Sequence, residues 1–172
     1  ARASAHGGGA SCLMEQPWLG SLMTDHGLSP TLSILYKGPC FEETAVGIHD
    51  VLECIGVASR VAHVRDGEEQ ALVLASAGEK TLWVVLGSHL FAALPRPYVV
   101  VQMEQLSSPW MTPRYMQTMR DAAAVWDFSL TNLRRWAALG LRAFYTPVYV
   151  PLSALLLGRL GATNMEACLP RA

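Results

Sequence analysis

The chain has 172 residues and a mass of 18.7 kDa, is 51% hydrophobic and 16% charged, and carries a formal net charge of -1. That length suits one domain, and folding can bury roughly 70% of the extended chain's surface, so no disulfide or metal staple is needed. The composition excludes a wholly disordered chain, and thirteen basic residues against fourteen acidic ones argue against general binding to a phosphate backbone.

Charge is scarcer than the roughly 25% of an ordinary soluble domain, so the apolar excess must be buried in a core, a partner or a membrane surface. A membrane span is not expected, because Arg96 and Pro97 cut the apolar stretch around them, and Arg142 and Pro151 cut the later one, well short of the length a spanning helix needs. Cys12, Cys40, Cys54 and Cys168 form no CxxC pair, so no metal site is expected and incidental thiols are the simplest reading.

Residues 1–30 contain Gly7, Gly8 and Gly9, which cannot build a core. They are expected to form an N-terminal arm held by partners, with Trp18 as an anchor. A chain that begins at Ala1 is expected to be a processed product or a fragment, and a removed targeting segment would admit a mitochondrial location.

The core is expected over residues 31–152. Thr31–Tyr36 reads TLSILY, a first strand between Pro30 and Gly38. Glu42–Ile55 follows as a helix, with Ala45, Ile48, Leu52 and Ile55 as its stripe, Val51 beside it and Gly56 as its stop. Arg60–Val64 reads as a second strand, and Ala71–Ala75 lacks a clear period and stays open between strand and helix. Thr81–Leu86 and Tyr98–Met103 are continuous apolar runs, the pattern of strands covered on both faces.

Thr112 is expected to cap a helix with Pro113 in its first turn. Tyr115, Met119, Ala122 and Trp126 would form its packing face. A second helix over Leu130–Leu139 would bury Leu130, Leu133, Trp136 and Ala137 and end at Gly140. Ala143–Val150 reads as an edge strand because of Pro147, and residues 153–172 as a short helix and tail. Strands alternating with helices indicate one Rossmann-like α/β domain with a mostly parallel sheet covered by helices.

In such a sheet ligands bind where the loops leave the carboxyl ends of the strands. Those loops carry Lys37 and Gly38, then His89, then Glu104 and Gln105. His89 or Glu104 could serve as a base within hydrogen-bond reach of an acceptor hydroxyl, although a loop histidine and a capping or ion-paired glutamate are the commoner roles. No GxxxxGKS/T or GxGxxG motif is present to hold phosphates, and no cofactor is expected. Asp127 and Ser129 precede a helix and suit capping better than nucleophilic chemistry. Trp110 is the best candidate for an exposed aromatic side chain, able to stack on a sugar or base or to anchor a partner protein.

The run YVVVQMEQL at 98–106, the following VWDFS and Asn132, and the final YTPVYVPL resemble the N-terminal half of a GT-B glycosyltransferase-like protein of the family 1 type. The likeness spans about Thr31 to Leu152 and is most specific in the distal half, on Gln102, Glu104, Gln105, Trp126, Asp127, Phe128, Ser129, Asn132, Val150, Pro151 and Leu152. It implies a Rossmann-like half that faces an acceptor, with Gln102, Glu104, Gln105 and Asp127 on that side, and a second half that holds a nucleotide sugar. This chain has no room for both halves.

The preferred expectation is therefore a noncatalytic structural or accessory subunit of a larger protein or ribonucleoprotein assembly, bound to other protein subunits through Trp18, Trp110, Arg134 and Arg135. Arg134 and Arg135 leave room for limited RNA contact. The alternative is the acceptor-binding half of a glycosyltransferase that uses a nucleotide sugar and works only with a second lobe.

Overall fold

The computed structural model of the chain describes residues 32–146 apart from 55, 78 and 79. The expected arm with Trp18, the end of the last expected strand and the C-terminal tail lie outside the described residues.

Six strands form one parallel sheet: β1 (Leu32–Tyr36), β2 (Ser59–His63), β3 (Leu82–Leu86), β4 (Tyr98–Gln102), β5 (Ala124–Asp127) and β6 (Ala143–Tyr145), in the order β2-β1-β3-β4-β5-β6. Four helices connect them: α1 (Glu42–Cys54), α2 (Gly67–Ser76), α3 (Pro113–Asp121) and α4 (Leu130–Ala138). The expected Rossmann-like α/β domain is what folds. The strand order reverses between β1 and β3, and every strand delivers its carboxyl end to the same edge of the sheet.

β1 and β3 are buried along their whole length, as continuous LSILY and LWVVL runs require when both faces are covered. Leu32, Ile34, Leu82, Val84 and Val99 join Ala45 and Leu52 of α1 in one core layer. Leu35, Val85, Val100 and Val125 form the other with Tyr115 and Met119 of α3 and Trp136 of α4, and Val73 and Leu74 of α2 pack against it. The open segment at Ala71–Ala75 is therefore helical. Asp66 caps it, its carboxylate accepting from the N–H groups of Glu68 and Glu69 at 3.0 and 2.9 Å.

The distal half corrects the sequence reading. Thr112 caps α3, its hydroxyl accepting from the Tyr115 N–H, and Pro113 stands in the first turn. The helix stops at Asp121, however, and Trp126 belongs to β5 rather than to the face of Tyr115 and Met119. The spacing of Ala122 and Trp126 fits a helical period by coincidence. The Arg96 guanidinium holds the Asp121 carboxylate at 2.8 Å, Ala122 turns extended, and the Ala123 N–H donates to the Tyr98 carbonyl at 2.8 Å, which starts a strand beside β4.

On α4, Leu133 and Trp136 pack inward as expected, but Leu130 is 61% exposed and Ala137 is also exposed. The buried stripe passes through Asn132, Leu133 and Trp136 instead. Val51, placed beside the stripe of α1, is exposed too.

Gly87 follows β3 with φ +65°, and a Cβ there would lie 2.6 Å from the Phe41 ring and 2.9 Å from the Lys37 carbonyl. Gly140 has φ +72° but open space around it. Gly87→Ala is expected to lose about 2–3 kcal/mol of stability and Gly140→Ala only about 1 kcal/mol, because the first adds a collision to the left-handed backbone cost that both share. Urea unfolding checks the ranking, and equal losses would contradict it.

Candidate functional site

Parallel pairing puts Tyr36 beside both His63 and Leu86, and Gln102 beside Asp127. The residues just past these strand ends therefore share one edge. Lys37 and Gly38 leave β1, Ser88 and His89 form a short turn after β3, and Glu104 and Gln105 leave β4. Gln105 is exposed, while Lys37, Gly38, His89 and Glu104 are half-buried. Among the described residues no group of three or more His, Cys, Asp or Glu side chains could hold a metal ion.

Gln102 and Asp127 occupy the two strand ends beneath the β4 loop, and each is only 1% exposed. Asp127 accepts from Trp136 Nε1 at 2.6 Å, from the Ser129 N–H at 2.7 Å and from Asn132 Nδ2 at 3.3 Å. Burial pushes its carboxyl above the ordinary range, against the pull of those three donors. The three donors favour the ionised form, and burial opposes it.

Gln102 is bound just as fully. Its Oε1 accepts from the Tyr115 hydroxyl at 2.6 Å and from the Glu104 N–H at 3.2 Å, and its Nε2 donates to the Glu104 carbonyl at 3.0 Å. Asn132 Nδ2 also donates to that carbonyl, at 3.1 Å. Ser129 caps α4, its hydroxyl accepting from the Asn132 N–H at 3.3 Å. The VWDFS segment and Asn132 thus tie β5 and α4 to the loop after β4.

The network fixes the loop over 104–111. The Ser108 hydroxyl donates to Glu104 Oε2 at 2.7 Å, and the Ser108 and Met111 N–H groups close tight turns on Gln105 and Ser108. Trp110 is carried outward by this loop, 52% exposed, with its ring centroid 4.9 Å from that of His89. Phe41 and Tyr115 meet the same imidazole edge-on at 6.4 and 5.7 Å.

His89 is a titratable side chain on this edge outside the network. Burial among the rings pushes its pKa below the ordinary 6.5, and the nearby Glu104 charge partly offsets that. His89 Nδ1 and Ser88 Oγ are both buried without a hydrogen bond of ordinary geometry among the described residues. Tyr115 is no acid near neutral pH: burial drives its phenol far above the usual range, against a smaller opposite effect of Ser88.

A cleft of about 130 Å³ runs along α3, lined by Ser88, Arg96, Tyr98, Arg114 and Asp121 among others. Its strongest polar groups are already engaged. Arg96 pairs with Asp121, Arg114 donates to the Phe91 and Ala92 carbonyls at 2.9 and 3.1 Å, and the Tyr98 hydroxyl donates to the Thr118 carbonyl at 2.9 Å.

Sequence reasoning named Lys37, Gly38, His89, Gln102, Glu104, Gln105, Asp127 and Trp110, and all lie at the carboxyl edge. It did not foresee that Tyr115 would reach Gln102 or that Trp136 would reach Asp127, since both had been assigned to packing faces. Arg134 and Arg135 lie in the last turns of α4, away from this edge. Comparison with protein-family models, with curated proteins and with solved structures returns no match for this chain.

The protonation of His89 is directly testable. Its imidazole is expected to titrate below pH 6.5 in NMR, and lower still in Glu104→Gln, which removes the charge that favours the imidazolium. Because the folded state binds this proton less readily than the unfolded chain, the stability tied to His89 is present above pH 6.5 and lost as pH falls through the folded midpoint. A midpoint at or above 6.5 would contradict this.

Proposed function

We propose that this chain is a noncatalytic accessory subunit of a larger assembly, built on a glycosyltransferase-like Rossmann fold and acting by binding. One observation carries this reading: the polar side chains best suited to chemistry are committed to holding the fold. Gln102 and Asp127 are sealed beneath the β4 loop with their acceptor atoms occupied, and Glu104 accepts from Ser108. A histidine base works best when an acceptor on its far nitrogen fixes the tautomer and stabilises the imidazolium, and His89 Nδ1 has none among the described residues. Trp110 then serves as an exposed anchor for a partner subunit, a role tryptophan fills often at interfaces.

The alternative, the acceptor-binding half of a nucleotide-sugar glycosyltransferase, is favoured by His89 alone. Its depressed pKa keeps it neutral near pH 7, as a base must be, and catalytic hydrogen bonds often tighten only once substrate is bound.

One experiment separates the two. The full-length protein, in the assembly from which it is purified, is supplied with nucleotide sugars and a panel of glycan acceptors, and transfer is followed by mass spectrometry beside a His89→Gln variant. The accessory reading predicts no transfer that depends on His89. A loss of at least a hundredfold in His89→Gln would establish the alternative.

A further inference from the structure

The charges of the described domain are divided between its halves. Among the described residues, the half built on β1–β3 carries Glu42, Glu43, Asp50, Glu53, Asp66, Glu68 and Glu69 against Lys37, Arg60, Arg65 and Lys80. The half built on β4–β6 carries Arg96, Arg114, Arg120, Arg134, Arg135 and Arg142 against Glu104, Asp121 and Asp127. Of those acids, Asp127 is buried, Glu104 is bound to Ser108 and Asp121 is paired with Arg96.

Topology gathers most of these arginines. Each helix of a parallel β/α unit runs back from the carboxyl edge, so α3 and α4 end at the opposite, amino edge of the sheet. Arg120 lies in the last turn of α3, and Arg134 and Arg135 near the end of α4. Arg96 precedes β4, and Arg142 precedes β6, its carbonyl accepting from the Val125 N–H at 2.9 Å. The negative helix ends account for Arg120 and Arg135; on the flanking loops Arg96 pairs with Asp121 and Arg142 lies over the Phe144 ring at 5.8 Å. Arg120, Arg134 and Arg135 are exposed and form no ion pair among the described residues.

We infer that this arginine edge binds the phosphodiester backbone of a nucleic-acid duplex. This goes beyond the accessory reading and uses the edge opposite Trp110 and His89. Guanidinium groups match phosphate oxygens in a fixed two-pronged geometry, and contact with a duplex backbone needs neither base stacking nor base readout. The composition of the edge disfavours other partners. Of the exposed large apolar side chains, Trp110, Leu90, Leu130 and Tyr145 lie on the carboxyl edge and Leu72 on α2, so that the ends of α3 and α4 offer a lipid surface Leu139, 37% exposed, with Val51 near the end of α1. The chain's net charge of -1 does not prevent binding by one edge, because screening confines the field of the acidic half to about 10 Å at 0.1 M salt.

Fluorescence anisotropy with labelled 20-base-pair RNA and DNA duplexes in 50–200 mM salt tests this. The intact protein is expected to bind with a log–log salt slope of about -3, from three to four phosphate contacts. R134Q/R135Q should weaken binding at least tenfold and bring the slope to about -1, while Arg65→Gln, at the other edge, should bind like the parent. Equal binding of both duplexes supports backbone recognition, and preference for RNA adds contact with its 2′-hydroxyls. No binding at 50 mM salt, unchanged binding by R134Q/R135Q, equal displacement by polyglutamate, or binding to anionic vesicles in place of duplexes would each overturn the inference. Circular dichroism of the variants confirms that they fold.

Discussion

The buried carboxylate of Asp127 is the constraint from which the distal half of this domain is organised. A carboxylate at the end of an inner strand is costly to bury unless it is hydrogen-bonded, and here Trp136, Ser129 and Asn132 donate to both its oxygens. Ser129 caps α4, and Asn132 and Trp136 lie in its first and later turns. Satisfying the carboxylate therefore sets the start of α4, the inward rotation of its Trp136 face and, through the second bond of Asn132, the path of the chain leaving β4. Gln102 repeats the arrangement one strand away with Tyr115 of α3.

The outcome is a carboxyl edge that is rigid below and aromatic above. Hydrogen bonds hold the Glu104–Met111 loop, and the loop presents Trp110 to solvent beside His89. Such an edge is preorganised for contact, and preorganisation lowers the entropy lost on binding. At the far edge the same topology collects helix ends and their arginines. The two edges differ in chemistry because parallel β/α units send loops to one side and helix ends to the other, so one domain can meet two partners without overlap.

Much of this was legible in the sequence. The continuous apolar runs at 31–36, 81–86 and 98–103 identify inner strands, Thr112 and Pro113 mark the start of α3, strand-end geometry draws attention to His89, and polar neighbours single out Trp110. β5 was not legible, because AVWD is only four residues long and its Trp126, with Ala122 before the strand, falls in phase with the preceding helix. Pairing with β4 and β6 on either side makes the segment a strand, and a local period carries no trace of such long-range contacts. The roles of Gln102 and Asp127 were hidden for the same reason: their partners Tyr115 and Trp136 look like core residues by spacing, and they are, yet their polar atoms point at the strand ends. The resemblance to a glycosyltransferase-like half drew attention to these same positions without distinguishing a ligand contact from an internal one.

The central claim is that Asp127 holds the fold together rather than a ligand, and a double-mutant cycle between Asp127→Ala and Trp136→Phe tests it most directly by urea unfolding. Removing the carboxylate leaves buried donors unmet, so Asp127→Ala should lose about 3 kcal/mol, and the pair should be coupled by at least about 1.5 kcal/mol. An Asp127→Ala protein that unfolds within about 0.5 kcal/mol of the parent would contradict the account.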